Sequence, residues 1–437
     1  MFSMNGGTGR LNNNLTTTNK VQEFQRKLYL KAKAQTNFRF YALYDKIYQM
    51  NVLKHSWQKV RSNHGSAGID ELSFEDIEKA GVDEFLKTIQ QELKTKEYRP
   101  QPAKRVYIPK SDGKQRPLSI PTIKDRVVQM ALKIIIEPIF EADFEDNSYG
   151  YRPKRSAQQS AEEIRKYLNY GLTNVIDADL EDCFGTIPHR ELLDMIARRV
   201  VDGKVLHLIK LFLKAGVMEQ GEVKTDEKGT PQGGVISPLL ANIYLDQMDK
   251  GWKPLSKYAR LIRYADDLVI ITKYNAGKLL SKLQELTAGL KLKLNTNKTR
   301  IVNADEESFD FVGFSFRKAL NIQKTKKVAY FYPSSKALKT IRAKVRKITN
   351  PKRPIKVEQV VKELNPAIRG WVNYFRTGNS SKQFDKIRLY VRDKVRKFMM
   401  RRRNKSGYGY KKYPDEYLYN KLGLYRDYRL IWLKTLR

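Results

Sequence analysis

One cysteine in 437 residues, Cys183, excludes an intramolecular disulfide and any zinc ribbon or finger built on cysteine pairs. Histidine is nearly as scarce. His55, His64, His189 and His207 are scattered, which argues against a histidine-held metal and leaves them as ordinary packing or surface residues. No apolar run approaches the roughly 20 residues that a membrane-spanning helix needs. No secretory signal opens the chain, so no membrane partner and a cytoplasmic location are expected. Acidic residues are also in deficit: 47 Asp+Glu face 84 Lys+Arg, a formal net charge of +37. The excess is uneven, because residues 331–437 hold 30 basic and 7 acidic side chains, net +23, and the first 330 residues only 54 against 40, net +14. That asymmetry fits a C-terminal module that grips a phosphate-rich partner, attached to a more balanced body.

The 41% hydrophobic content is enough for a large core and suggests two or three domains. Residues 1–20, rich in Asn, Gly and Thr, read as a disordered leader. Val21 to about Val60 is helical and basic, and a further helix is expected near Asp83–Lys96. Arg105–Pro109 and Arg116–Ile120 read as a hairpin turned at Ser111 to Lys114. Helices are predicted over Lys124–Phe140, Ala157–Tyr170, Arg190–Val200 and Lys204–Ala215, with a strand at Thr173–Leu180. Strands and helices mix without strict alternation, which argues for an α+β fold over a doubly wound sheet. Beyond Pro333 only helical periods remain. Leu338, Ile341, Val345 and Ile348 share one face, and Phe384, Ile387, Val391, Val395 and Phe398 share another, as in a small bundle.

Three segments carry chemistry. Tyr264-Ala265-Asp266-Asp267 sets two adjacent carboxylates between apolar runs, as two buried strands joined by a tight turn would. Burying neighbouring acids is costly unless a cation neutralises them, and Mg²⁺ takes one or two carboxylates plus substrate phosphates. Val175 to Leu180 is a strand whose period of two puts Asp177 and Asp179 on one face, either of which could supply a third carboxylate or simply cap the next turn. Gly229-Thr230-Pro231-Gln232-Gly233-Gly234 then feeds a helix, with Ser237 suited to its N-cap and Pro238 to its first turn. Such a loop approaches a template or nucleotide backbone closely, and Gln232 is hard to explain as packing.

Read in order, these segments resemble the reverse transcriptases encoded by bacterial group II introns, the maturase family. The matching residues are Arg105 to Lys110, Arg116 to Pro121, Tyr149-Gly150-Tyr151-Arg152-Pro153, the Asp179 strand, Gly229 to Asn242, Tyr264 to Asp267, Asn295 to Lys298 and Phe311 to Phe314. Gly370-Trp371-Val372-Asn373-Tyr374-Phe375 resembles the family's thumb signature. The resemblance implies an α+β right-hand polymerase: fingers and palm over 21–330, an all-helical thumb (maturase) domain over 331–404 and a short basic aromatic tail over 405–437.

It also implies that Asp179, Asp266 and Asp267 are catalytic and hold two Mg²⁺ ions, with Mn²⁺ able to substitute. Lys110 and Arg116 would meet the incoming triphosphate beside Gln232, and Lys298 would protonate leaving pyrophosphate. Many relatives carry two aromatics where this chain has Cys183-Phe184, so either Phe184 or Cys183 gates the sugar. Arg401, Arg402, Arg403, Lys405, Lys411 and Lys412, interleaved with Tyr408, Tyr410 and Tyr413, would contact RNA by charge and stacking. The implied partners are group II intron RNA, an RNA template with a DNA primer, dNTPs and target DNA. The implied roles are cDNA synthesis, assisted splicing and retromobility, without the family's His-Asn-His nuclease. The rivals are a domesticated defence enzyme, including CRISPR-associated forms, a non-catalytic RNA-binding splicing cofactor, and an RNA-dependent RNA polymerase.

Overall fold

The computed structural model describes residues 8–431 apart from 110–112, 114 and 226, with side chains from Asn19 onward. Eleven strands lie among the described residues: β1 Ala103–Pro109, β2 Gln115–Ile120, β3 Asn174–Asp179, β4 Val217–Glu219, β5 Glu222–Lys224, β6 Ala259–Tyr264, β7 Asp267–Thr272, β8 Arg300–Asn303, β9 Phe309–Phe311, β10 Phe314–Leu320 and β11 Lys327–Pro333. They form three sheets, ordered β2-β1-β4-β5, β6-β7-β3-β8 and β11-β10-β9. The mixture is α+β, as the sequence predicts. Among the described residues, no helix is long and apolar enough to cross a membrane.

The chain divides into two compact units. The first comprises residues up to Lys154, Leu180–Pro254 and Lys282–Asn295. Its centre is the helix Ile123–Glu141, whose Val127, Val128, Ala131, Leu132, Ile135, Ile136 and Ile139 are all fully buried. So wide an apolar face belongs in a core. Thr122 caps it by accepting from the Asp125 amide at 3.1 Å. Asp125, only 2% exposed, is satisfied by Tyr98 Oη at 2.5 Å, Thr122 Oγ1 at 2.7 Å and the Gln101 amide at 3.2 Å.

The first helix starts at Thr8 and runs to Ala34, inside the stretch whose composition reads as an unstructured leader. Val21, Leu28 and Ala32 are buried and nucleate the helix, after which each further residue extends it at little cost, even through Asn and Thr. Residues 1–7 of that expected leader lie outside the described residues.

The second unit comprises Arg155–Asp179, Leu255–Ser281 and Thr296 onward. It holds the β6-β7-β3-β8 sheet, the β9–β11 sheet and the helices Ser335–Ile348, Val357–Phe375 and Ser381–Arg401. Phe309, Phe314, Phe316 and Phe331 are fully buried, with Phe309 and Phe316 stacked at 5.2 Å. Phe314 meets Phe375 edge-on at 4.9 Å, so the aromatic residues of the 370–375 signature tie the helices to this small sheet. The helical periods hold: Ile341, Val345, Ile348, Phe384, Ile387, Val391, Val395 and Phe398 are buried.

The segment expected as a tail is not loose. Asp415 pairs with Arg392 and Arg396, Arg396 also donates to the Tyr413 carbonyl at 2.8 Å, and Leu418 and Leu424 are buried. Asn365 receives the Tyr425 amide at 2.9 Å, and the Ile431 amide donates to the Arg376 carbonyl at 2.9 Å. The segment straps the helices because its apolar residues and Asp415 find partners far away in sequence.

Candidate active site

β3 and β7 pair antiparallel with Asp179 opposite Asp267, and β6 and β7 close their hairpin with Tyr264 opposite Asp267. The register alone therefore sets Asp179 beside the Ala265-Asp266 turn. Ala265 takes φ +58, a conformation usually left to glycine. Its carbonyl accepts from Arg263 Nη1 at 3.1 Å, and Arg263 is fully buried beneath the turn. The acids are less buried than the apolar runs predict: Asp266, in the turn, is half-buried, and Asp267, the first residue of β7, is exposed.

Protein still surrounds Asp267 closely enough to matter. Desolvation, then the charges of Asp266 and Asp179 and a hydrogen bond with Asp179, push its pKa up to about 7. Lys298 Nζ reaches Asp179 Oδ2 at 2.7 Å, and that hydrogen bond, with the neighbouring acids, holds the ammonium above its usual range. Asp177 faces the same way as Asp179 but accepts from Arg300 Nε at 3.1 Å, its cross-strand neighbour. That pairing assigns Asp177 to a structural salt bridge.

Among the described residues, no group of three or more His, Cys, Asp or Glu is placed so that it could hold a metal ion without further ligands. An open carboxylate edge suits Mg²⁺, which draws its remaining ligands from water and substrate phosphates. The chemistry of Asp179, Asp266 and Asp267, three carboxyl groups gathered at one strand edge, is the kind that a hard cation takes.

In the first unit, β2 and the Gly-rich loop meet. The Ser119 amide donates to the Gln232 carbonyl at 2.6 Å, and a Cβ on Gly233, whose φ is +116, would lie 2.3 Å from the Ser119 carbonyl oxygen. Arg116 Nε donates to Gln232 Oε1 at 3.2 Å, and Gln232 Nε2 donates to Asp182 Oδ1 at 3.4 Å. The two nucleotide-facing candidates are thus joined directly, and Gln232 is held from its other side by Asp182, an aspartate that the sequence does not mark. Gln232 borders a cleft of about 200 Å³ that Arg105, Ser119, Asp182, Lys228 and Thr230 also line. Lys110 lies outside the described residues.

Cys183 is 2% exposed and Phe184 8%, both on the short helix Cys183–Thr186. Ser237 is not the N-cap of the helix Ser237–Trp252. It is the first helical residue, and its hydroxyl donates to the Pro231 carbonyl at 2.9 Å, tying the helix start back to the loop. Arg401, Arg402, Arg403, Lys405, Lys411 and Lys412 are all exposed. Tyr408 and Tyr410 are exposed and stack at 5.4 Å with Lys397 over Tyr408 at 4.1 Å, whereas Tyr413 is buried.

The sequence matches the model of the reverse transcriptase (RNA-dependent DNA polymerase) family over residues 108–316 and that of the group II intron maturase-specific domain over residues 338–416. It is 34% identical to Protein YkfC of Escherichia coli over 337 residues, 67% of this chain and 87% of that protein. The chain belongs to the group II intron reverse transcriptases. It is also 39% identical to the group II intron-encoded protein LtrA of Lactococcus lactis over 212 residues, 48% of this chain but 35% of LtrA. A 91 kDa protein of the cob intron in Schizosaccharomyces pombe is 27% identical over 396 residues, 73% of this chain and 49% of that protein. As a member of the group II intron reverse transcriptases, the chain is an RNA-directed DNA polymerase with a maturase region that binds group II intron RNA, in a family that uses divalent metal ions. The RNA-dependent RNA polymerase alternative falls with these matches. The maturase match runs to residue 416, past the thumb boundary expected at 404 and into the strap.

Proposed function

We propose that Asp179, Asp266 and Asp267 hold two Mg²⁺ ions, with Mn²⁺ as a substitute, and that the protein extends a DNA primer with dNTPs along an RNA template. The observation that carries this reading is the opposition of Asp179 and Asp267 at the Asp266 turn. The bound ions would supply Lewis-acid stabilisation of the attacking 3′-oxygen and the leaving phosphate oxygens. Lys298, whose charged form the hydrogen bond to Asp179 favours, would return a proton to the departing pyrophosphate. Arg116 presents a guanidinium, and Lys110 a point charge, to the triphosphate, and both charge types suit phosphate oxygens. Gln232 steadies Arg116 until nucleotide arrives. Phe184 gates the sugar, since the side chain of Cys183 is smaller and more buried.

Fingers and palm occupy 21–330, the thumb 331–404, and the basic strap carries Arg401, Arg402, Arg403, Lys405, Lys411 and Lys412 against intron RNA. Splicing would be catalysed by that RNA with the protein as its clamp, and target DNA would be the acceptor in retromobility. Primer extension beside filter binding tests the reading. Asp266→Asn and Asp179→Ala should abolish extension and leave RNA affinity within about threefold, since backbone charge dominates binding. Wild-type extension in both variants would remove the metal assignment, whereas an absence of extension by the wild-type protein would favour the non-catalytic splicing cofactor.

A further inference from the structure

His189 reads from sequence as an ordinary packing residue, but its bonds lead elsewhere. It opens the helix His189–Ala197 and is 8% exposed. Its Nε2 lies 2.7 Å from the carbonyl oxygen of Gly229, 40 residues on, at the start of the Gly-rich loop. A backbone carbonyl can only accept, so Nε2 carries the proton and the ring is a donor in this bond. The Nδ1 atom is buried and has no hydrogen-bond partner among the described residues, where the side chain's polar commitment is to the loop.

The same short stretch is stitched to the loop by its backbone. The Gly229 amide donates to the Ile187 carbonyl at 2.7 Å, and the Thr230 amide to the Phe184 carbonyl at 2.6 Å. A Cβ on Gly229, whose φ is +91, would lie 2.9 Å from the Gly185 carbonyl oxygen, so the two backbones touch. His189 thus closes one side of a clamp around Gly229 and Thr230. Gln232, three residues after Gly229, and Phe184, through the Thr230 amide, both take their places from that clamp.

We propose that His189 is a positioning residue: its Nε2–H fixes the Gly229–Gln232 loop and, through it, sets nucleotide affinity and sugar selection, without touching substrate. The proposal rests on the reading of Gln232 and Phe184 as nucleotide contacts. A buried neutral hydrogen bond of this kind is worth a factor of about 10 in an equilibrium. Removing it should therefore loosen the loop without disturbing the carboxylates.

Two variants of the full chain separate the bond from packing. His189→Leu fills the space without a donor, and His189→Gln places a donor amide where Nε2 stood. Hydrogen exchange of the Gly229, Thr230 and Gln232 amides reads the loop directly, and steady-state incorporation of matched dNTP and rNTP reads its consequence. We expect His189→Leu to speed loop exchange and raise the dNTP KM by about 10-fold each, with kcat within about threefold and a lowered dNTP/rNTP preference. His189→Gln should restore all of them.

Loop exchange in His189→Leu equal to wild type would overturn the proposal. So would a His189→Gln that melts like wild type yet exchanges and reacts like His189→Leu. Gln232→Ala and Phe184→Ala run beside them. If those two raise KM or relax sugar choice but His189→Leu does not, the positioning role fails and the contact reading stands. If neither does anything, the contact reading fails, and loop exchange alone decides whether His189 holds the loop.

Discussion

Asp267 and Phe184 are the two residues whose replacement should be most informative. Folding raises the Asp267 pKa from an ordinary carboxylate value of about 4 to about 7, so the metal-free folded state takes up a proton that the unfolded chain releases. The sign follows: metal-free stability falls as pH rises from about 4 through about 7, and the loss is complete above that. Asp267→Asn should therefore raise the melting temperature in EDTA at pH 8 relative to wild type and lose that advantage near pH 4. Equal melting curves at both pH values would show that the carboxyl is not perturbed. For Phe184, truncation to Ala should relax dNTP over rNTP selection by about 10- to 200-fold, the range that a steric contact supplies. If both sugars were incorporated equally poorly, Phe184 would be palm packing; relaxation in Cys183→Gly with none in Phe184→Ala would move the gate to Cys183.

At the scale of elements, the hairpin and the Gly-rich loop stand or fall together. Gly233→Ala would force a Cβ against the Ser119 carbonyl at a positive φ, whereas Gly221, with φ +88, has open space around its added Cβ. Both substitutions bear the left-handed penalty of about 1–2 kcal/mol, and only Gly233→Ala adds the clash. We expect Gly221→Ala to keep near wild-type dNTP KM and Gly233→Ala to lose most extension; comparable kinetics in the two would show that the Ser119–Gln232 contact is dispensable.

Much at this scale was legible in sequence. Alternation exposes β3, and apolar runs around the aspartates expose β6 and β7. What sequence hid was long-range. Ser237 looked like a cap because Pro238 follows it, but its hydroxyl turns to Pro231. Arg263 stood out as the one charge in Leu261-Ile262-Arg263-Tyr264, a signal that could have marked it as the support of the turn. Asp182 and His189 carried no local signal, since their partners lie 50 and 40 residues away. Sequence alone makes the strap look like a tail, because Asp415 declares its role only against Arg392 and Arg396.

The molecule as a whole is governed by its charge. With +37 overall and most of the excess beyond residue 330, intron RNA affinity should fall steeply with salt, each phosphate contact adding about 0.7–0.9 to the slope of log affinity against log salt. Replacing Arg401, Arg402 and Arg403 together by Ala should lower that slope by about 2–3 while leaving primer extension on a short template intact. A slope equal to wild type would move the RNA footprint away from the strap. The central claim, that Asp179 and Asp267 share the catalytic metals, is tested most directly by counting Mn²⁺ with electron paramagnetic resonance. The complex would hold the protein, an RNA template, a chain-terminated DNA primer and the next dNTP. Two Mn²⁺ are predicted for wild type and fewer for Asp179→Ala and for Asp267→Asn. Wild-type Mn²⁺ occupancy in either variant would contradict the account.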